Sequence, residues 1–311
     1  MIKVGFFGTP ELARCCFMSL ADKYEIVFAV TGKDKAKGRS LKVCCTPVKE
    51  CADEKCIDVL QPDSLKDPEF ENTLREYGAD VFVVVAYGRL IPRNIFSMPR
   101  LGTINMHPSL LPKYRGAAPI PWALINGESE SGISIQMIDE KLDSGDIIEQ
   151  IRFDIDSEIN SGELYDKILP QACSLVCGAI ESLNLGKAVL HRQNHGDSSY
   201  CGKIDRNTAK IDFSKKSIQI HNLIRGLNPK PGAWCGFRKG TVKIWKTSIS
   251  ADPEFPALES GTLFKTGKKR LFVKTSDGAL EILEIQPENK KIMTAVEFIN
   301  GMRIEAGECL F

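Results

Sequence analysis

An unbroken run of apolar residues, VFVVV at residues 81–85, constrains the fold of this chain more than any other feature. A strand that is apolar at every position, rather than at every second one, is typical of a parallel sheet covered by helices on both faces. The amino terminus agrees, because residues 2–7 and 25–31 are predicted as strands that flank a helix at 11–20, with Thr9 as its N-cap. A strand, a helix and a strand in succession form a right-handed parallel crossover. We therefore predict an α/β domain with a doubly wound, mostly parallel, Rossmann-like sheet.

The rest of the chain predicts a second domain of a different kind. After a predicted long helix at 161–185, the segment 189–206 is polar and is predicted to be a linker. One helix at 217–227 then precedes short alternating stretches that are separated by turn pairs, namely Lys239-Gly240, Thr266-Gly267 and Asp277-Gly278. The predicted organisation is an α/β domain at 1–188, a linker at 189–206 and a small antiparallel β-barrel, OB-like, at 207–311.

The charge is balanced overall but divided unevenly along the chain. Lys and Arg number 41 against 40 Asp and Glu, for a net charge of +1, yet residues 1–202 carry −6 and residues 203–311 carry +7. A second basic concentration, the basic loop, contains a single acid, Asp34, among five cations: Lys33, Lys35, Lys37, Arg39 and Lys42. Two basic features in a neutral chain favour a polyanionic partner, and small barrels often bind nucleic acids. A solvated loop and a lysine-rich face remain the alternative.

The cysteines and the apolar segments indicate the compartment. Eleven cysteines, an odd number, include two adjacent pairs and no C-x-x-C, which argues against a disulfide framework and against a zinc site. Buried thiols in a reducing compartment, the cytoplasm, are the interpretation we favour. No apolar run approaches the ~20 residues that a membrane helix needs, so no membrane span is predicted.

Polar side chains at one strand end predict an active site. Asn105 and His107 are two residues apart at the end of a predicted strand, so their side chains leave the same face of the sheet. Asp143, on a turn after another strand, can meet the imidazole. Amide and imidazole donors can stabilise an oxyanion, and a carboxylate can orient the imidazole or take a proton. Each of the three side chains could instead satisfy local backbone groups.

The same residues lie in longer motifs. The run NMHPSLLPKYRGAAP at 105–119, with DSGD at 143–146 downstream, resembles the folate-dependent formyltransferases, as do VVVAYG at 83–88 and GTP at 8–10. The segments IDF at 211–213, LNPKPGAW at 227–234 and VKIW at 242–245 are similar to the carboxy-terminal domain of those members that act on methionyl-tRNA. Together these segments extend the resemblance over nearly the whole chain. The first turn, GFFG at 5–8, lacks the G-x-G-x-x-G spacing of a dinucleotide site.

The resemblance implies an activity and a set of residues. The donor is expected to be 10-formyltetrahydrofolate, and the acceptor the free α-amine of initiator methionyl-tRNA, in translation initiation. Asn105 and His107 are expected to hold the oxyanion, while Asp143 orients His107 and assists proton removal. The expected folate contacts are Ser109, Leu110, Leu111, Pro112, Gly88, Arg89, Leu90 and Ile91, and the expected tRNA contacts are Lys35, Lys37, Arg39 and Lys42. No metal is required, and we expect a monomer.

The basic loop departs from the family pattern. Where members of the family carry G-R-G-K-K, this chain has GRSLK at 38–42, which keeps Arg39 but not the second glycine. Three alternatives stay open: an amino-sugar N-formyltransferase with a nucleotide-sugar acceptor, a formyltetrahydrofolate hydrolase, and a tRNA-binding module without catalysis. The basic segments favour a tRNA acceptor over the first two, and the intact Asn105, His107 and Asp143 favour catalysis.

Overall fold

The chain forms two compact units in the structure, a computed structural model that describes residues 1–37, 42–249, 256–267, 269–305 and 307–311. Unit 1 comprises Met1–Ala117, Ser131–Phe153 and Asp166–Cys201; unit 2 comprises Ala118–Glu130, Asp154–Tyr165 and Gly202–Phe311. The sequence predicts one boundary region at 189–206, whereas the contacts also assign two internal segments to unit 2. Within the described residues, no helix is both long and apolar enough to cross a membrane.

Unit 1 is built on a seven-stranded sheet, with smaller strand pairs beside it. Its strands are β1 (Lys3–Gly8), β2 (Glu25–Val30), β3 (Lys35–Lys37), β4 (Lys42–Cys44), β5 (Val59–Leu60), β6 (Val81–Val85), β7 (Thr103–His107), β8 (Arg115–Gly116), β9 (Glu130–Met137), β10 (Ile147–Asp154) and β11 (Tyr200–Cys201). The main sheet has the order β10-β9-β7-β6-β1-β2-β5. Five of its strands pair in parallel and β9 is antiparallel to β7, which confirms the predicted mostly parallel fold.

Helices connect these strands close to the predicted positions. They are α1 (Glu11–Ala21), α2 (Pro47–Glu54), α3 (Pro68–Glu76), α4 (Arg93–Phe96) and α6 (Ser161–Asn184), the last of which begins in unit 2; α5 is described with that unit. The predicted cap of α1 is wrong, because Pro10 occupies the N-cap position and no side chain of the described residues caps the helix. Thr9 Oγ1 instead accepts a hydrogen bond from the Gly32 amide at 3.1 Å, so it links the turns that follow β1 and β2.

The core of unit 1 explains the glycine at the start of the chain. Every residue of β6 is buried, as its composition predicts. Phe7, Phe28 and Phe82 pack with ring centroids 5.3 to 5.9 Å apart. A side chain at Gly5 would collide with the Phe28 ring, so packing alone requires the glycine.

Unit 2 contains the predicted antiparallel barrel. Its strands are β12 (Ala233–Phe237), β13 (Gly240–Ile249), β14 (Leu263–Thr266), β15 (Arg270–Lys274), β16 (Ala279–Pro287) and β17 (Met293–Thr294), and its helices are α5 (Pro119–Ile125), α7 (Ser217–Gly226) and α8 (Ala295–Met302). The strands pair in the order β12-β13-β16-β15-β14. Residues 308–311 bridge to both edges, at Phe237 and at Thr262, and so join β12 to the β14 side of the sheet.

Two internal segments belong to unit 2 because they pack on α7. Gly226 lies so close to α5 that a Cβ there would approach the Pro121 carbonyl to 3.0 Å. The Arg225 guanidinium donates to the carbonyl oxygens of Asp156 and Ile159 at 3.2 and 3.3 Å. The contacts of α7 therefore bring together segments that lie about 70 and about 100 residues apart in the chain.

Candidate active site

Three side chains meet where β7 ends. Asn105 and His107 leave this strand on one side, and Asp143 stands on the turn between β9 and β10. Asn105 Nδ2 lies 3.4 Å from Asp143 Oδ1, and His107 Nδ1 lies 3.7 Å from Asp143 Oδ2. The carboxyl ends of parallel strands are where open α/β sheets bind ligands. The structure thus brings together the three residues predicted to be catalytic.

The imidazole of His107 is buried and has a polar neighbour at each nitrogen. Its Nε2 lies 2.8 Å from the Tyr114 carbonyl oxygen, which can only accept, so Nε2 carries the proton. The other nitrogen, Nδ1, faces the Asp143 carboxylate, so a proton bound at Nδ1 would lie next to that carboxylate. The Nε2–H is thus engaged by Tyr114, and the expected role of His107 in holding the oxyanion stays a prediction. Asn105 Nδ2 carries a second N–H besides the one that it donates to Asp143 Oδ1.

The Asp143 carboxylate is surrounded by donors. Its Oδ2 accepts from the Gly116 amide at 2.8 Å, and its Oδ1 accepts from Gln136 Nε2 at 3.1 Å. Asp143 adopts a left-handed φ of 50°, a conformation that costs energy in most residues and that clusters at functional sites. Gly145 has no Cβ because one would collide with the Met137 carbonyl. The turn is therefore tightly built around a single carboxylate.

The loop at 109–112 is held by hydrogen bonds within the protein. Ser134 Oγ donates to the Ser109 carbonyl at 2.6 Å and accepts from the Leu111 amide at 3.1 Å. The Leu111 carbonyl accepts from Gln150 Nε2, also at 3.1 Å. These backbone groups therefore have partners within the protein, and the expected folate contacts at residues 109–112 stay a prediction.

A cavity of about 460 Å³ lies beside the other predicted folate segment. Its lining residues are Ser64, Leu65, Lys66, Arg89, Leu90, Ile91, Pro92, Arg93, Phe96 and Glu140. Three of the eight predicted folate contacts are among them, while Gly88 and residues 109–112 are not. Arg89 is fixed by the carbonyl oxygens of Pro62 and Asp63 at 2.9 Å, and burial raises the pKa of the neighbouring Tyr87 hydroxyl. The volume is in the usual range for a small-molecule site.

Comparison with known families identifies the architecture. Residues 3–180 match the family described as formyl transferase, and residues 203–303 match the formyl transferase C-terminal domain. The chain belongs to the formyltransferase family.

Two bacterial proteins named methionyl-tRNA formyltransferase resemble this formyltransferase over almost its whole length. The protein from Clostridioides difficile (strain 630) is 41% identical over 98% of this chain and 99% of its own. The protein from Acetivibrio thermocellus is 37% identical over 99% of each chain.

Solved structures show the same fold. An N-formyltransferase from Helicobacter canadensis, in complex with folinic acid and dTDP-3-aminofucose, aligns with a TM-score of 0.67 and 23% identity over 92% of this chain and all of its own. A methionyl-tRNA formyltransferase from Clostridium thermocellum aligns with a TM-score of 0.55 and 15% identity over 80% of this chain and 94% of its own.

The basic loop of this formyltransferase is only partly within the described residues. Arg39 and the side chains of Lys37 and Lys42 lie outside them, whereas Lys35 lies in the β3–β4 hairpin. The start of the loop is anchored by Asp34, which accepts from Lys49 Nζ at 2.7 Å and from Gln61 Nε2 at 2.9 Å. The Lys49 ammonium lowers the pKa of the Asp34 carboxyl.

Unit 2 of the formyltransferase carries cations stacked on aromatic rings. The Arg206 guanidinium lies 4.9 Å and the Lys210 ammonium 5.8 Å from the Trp234 ring. Lys243 lies 5.5 Å from Trp245. Such contacts hold cations in place without neutralising them, so they remain available to an anionic partner.

Two residues that contact Asp143 lie outside the recognised motifs. They are Gln136 and Gln193, and Gln193 in turn binds Arg115, which does fall inside a recognised motif. Gln136 lies on β9 beside Asn105 of β7, so the strand pairing could have indicated it. Gln193 lies in the polar segment predicted as a linker, where nothing signals burial. In the described part of the chain, no group of three or more His, Cys, Asp or Glu side chains could hold a metal ion.

Proposed function

We propose that this formyltransferase transfers the formyl group of 10-formyltetrahydrofolate to the α-amino group of methionyl-tRNA, and that its acceptor is the initiator tRNA of translation. One observation carries the proposal: Asn105, His107 and Asp143 converge in a chain whose full-length relatives bear the name methionyl-tRNA formyltransferase.

The three side chains divide the work of the reaction in this proposal. As the amine attacks the formyl carbon, negative charge develops on the formyl oxygen, and the Asn105 amide is the donor that stabilises it. The attacking amine must lose its ammonium proton and become neutral, and the paired His107 Nδ1 and Asp143 carboxylate receive protons from it. When the bond between the formyl carbon and N10 of the folate breaks, a proton passes to N10, so that tetrahydrofolate leaves and the formyl group stays on the methionyl nitrogen. Burial of His107 keeps water from competing for these groups.

The folate is proposed to occupy the cavity at Arg89, Leu90 and Ile91. The cavity lies at the carboxyl end of β6, beside the point where the strand order reverses between β1 and β6. Ligands of doubly wound sheets bind at this switch point. Its apolar residues suit an aromatic ring system, and Lys66 suits a carboxylate of the folate, whereas Arg93 is already paired with Glu140 at 2.9 Å.

The tRNA is proposed to contact two basic features. These are the basic loop and the cation-bearing surface of unit 2, where residues 203–311 carry a net charge of +7. Contacts of this kind recognise phosphates and make binding dependent on salt. The enzyme is further proposed to act as a monomer in the cytoplasm. Its mass from sedimentation equilibrium would test the first point, and cell fractionation would test the second.

The decisive experiment follows a labelled formyl group. Purified protein receives labelled 10-formyltetrahydrofolate with methionyl-tRNA, with N-acetylmethionyl-tRNA, with a 4-amino sugar nucleotide, or with no acceptor. We expect label only on methionyl-tRNA, because the acetylated control has no free amine. Label on the sugar would identify an amino-sugar formyltransferase, and release of formate without acceptor would identify a hydrolase. If the label is transferred in none of these reactions, the alternative that remains is a tRNA-binding module without catalysis.

A further inference from the structure

Gln193 connects a buried arginine to the turn that carries Asp143. It is 4% exposed, although most residues around it are exposed. Its carboxamide oxygen accepts from Arg115 Nη2 at 2.6 Å and from Arg115 Nε at 3.2 Å. Its Nε2 lies 2.7 Å from the Gly145 carbonyl, 3.1 Å from the Asp143 carbonyl and 3.1 Å from Gln136 Oε1. The Gln193 amide therefore contacts two carbonyl oxygens of the turn at 143–145 and the side chain of Gln136.

The contacts fix the orientation of both amides. A guanidinium has donors only, so Arg115 requires the oxygen of Gln193 on its side and directs the Gln193 amino group to the turn. Because Gln193 donates to Gln136 Oε1, the amino group of Gln136 must point the other way, toward Asp143 Oδ1. Arg115 thereby ensures, through two amides, that the carboxylate meets a donor and not a carbonyl oxygen.

We propose that Gln193 is a positioning residue for formyl transfer, which holds the turn at 143–145 and the Gln136 amide so that the Asp143 carboxylate faces His107. This inference rests on the proposed function. Gln193 acts through Asp143, and its own polar atoms are occupied by protein groups.

The substitution Gln193→Glu keeps the acceptor for Arg115 and removes the donor to the turn at 143–145 and to Gln136. The glutamate has the same shape and still accepts from Arg115, but its second oxygen replaces the donor and faces the carbonyl oxygens of Asp143 and Gly145. Displacement of a catalytic group by ~1 Å can cost about 100-fold in rate. We expect kcat for methionyl-tRNA formylation to fall by roughly 10- to 100-fold, with the KM for methionyl-tRNA and the affinity for a non-reactive folate analogue unchanged.

A matched control is available on α6. Gln171→Glu makes the same change from amide to carboxylate at an exposed position. We expect wild-type kcat for this variant. Near-ultraviolet circular dichroism checks that each variant is folded. If Gln193→Glu does not fold, Gln193→Met, which adds no charge, is measured in the same way and should show the same selective loss of kcat.

A double-mutant cycle with Asp143→Asn tests whether Gln193 acts through Asp143. If it does, Gln193→Glu should reduce the residual rate of Asp143→Asn much less than it reduces the wild-type rate. Equal losses in both backgrounds, or a wild-type kcat in folded Gln193→Glu, would overturn the inference while the formylation activity of the wild type stands. A wild type that formylates no methionyl-tRNA would overturn the proposed function, and this inference with it.

Discussion

At the residue scale, the arrangement around Asp143 combines an unfavourable backbone conformation with a fully used carboxylate. The left-handed φ of Asp143 is offset by hydrogen bonds to both carboxylate oxygens and by the close approach at Gly145. The side chains of Asn105 and His107 need no such support, because a regular strand already places them on one face. The motif residues could thus be predicted from their spacing. The position of Gln193 could not, because its burial depends on contacts with residues about fifty positions away in the chain.

The catalytic proposal predicts selective losses of turnover. Asn105→Ala removes the proposed oxyanion donor, a change that typically costs roughly 10² to 10³ in kcat. Asp143→Asn keeps the shape of the side chain and removes its charge, so we expect a loss of similar order. Steady-state formylation kinetics would measure both, and filter binding of methionyl-tRNA should show unchanged affinity.

The control for these variants is Asp197→Asn, an exposed carboxylate in the turn at 195–197. It should retain full activity. Wild-type turnover in Asn105→Ala would contradict the assignment of this amide.

At the scale of elements, a buried hydroxyl shapes the loop after β7. Ser134 lies on β9, is fully buried and binds Ser109, Leu111 and Gln150 at once. Strand bounds at this scale were predictable to within a few residues because apolar patterns define them. No helix was predicted after residue 227, although Thr294 and Glu297 form a capping box at the start of α8. The sequence of β12, AWCGF, includes a glycine that weakens strand propensity.

The hydroxyl of Ser134 should contribute measurably to stability. Ser134→Ala leaves the buried Leu111 amide and the Ser109 carbonyl without this partner, and unsatisfied buried groups cost ~1–3 kcal/mol each. We expect urea unfolding, followed by circular dichroism, to show a loss of about this size. Ser174→Ala, an exposed change on α6, is the control and should have the wild-type midpoint. Equal midpoints for both variants would contradict the role of the hydroxyl.

The basic loop gives a prediction about salt. If Arg39 contacts a phosphate of the tRNA, Arg39→Ala should raise the KM for methionyl-tRNA and flatten the logarithmic salt dependence of binding by about one unit, with folate affinity unchanged. Lys187→Ala, an exposed charge loss after α6, is the matched control. Wild-type tRNA kinetics and salt slope in Arg39→Ala would leave the tRNA proposal to rest on unit 2.

At the scale of the whole molecule, each unit has its own core and its own composition. The aromatic core around Phe28 belongs to unit 1, whereas Trp122, Trp234 and Trp245 all belong to unit 2. The two-domain organisation was predictable from the change in pattern after residue 188. The assignment of 118–130 and 154–165 to unit 2 was not, because it depends on packing against α7 and not on any local signal.

A buried histidine makes the stability of unit 2 depend on pH. His221 is 4% exposed and bonds to Thr247 at 3.0 Å, and burial lowers its pKa although Glu158 acts in the other direction. The unfolded state therefore binds more protons than the folded state just below the usual histidine pKa of about 6.5, so stability falls as the pH falls. We expect His221→Gln to flatten the decline between about pH 7 and pH 5.

Tryptophan fluorescence is the suitable probe for this measurement, because all three tryptophans report on unit 2. His191→Gln, in unit 1, should leave the fluorescence-detected slope unchanged. An unchanged slope in His221→Gln would show that another group causes the pH dependence.

Unit 2 is assembled from three separate segments of the chain, and this has a consequence for the order in which its contacts form during translation. Residues 118–130 and 154–165 leave the exit tunnel well before α7, on which they pack, has been synthesised. Until then their apolar faces have no partner from unit 2, and they are exposed to solvent or to chaperones. Translation must proceed into the last third of the message before either segment can acquire its native contacts with α7. The nascent chain should therefore stay sensitive to protease at these two segments until that point in its synthesis.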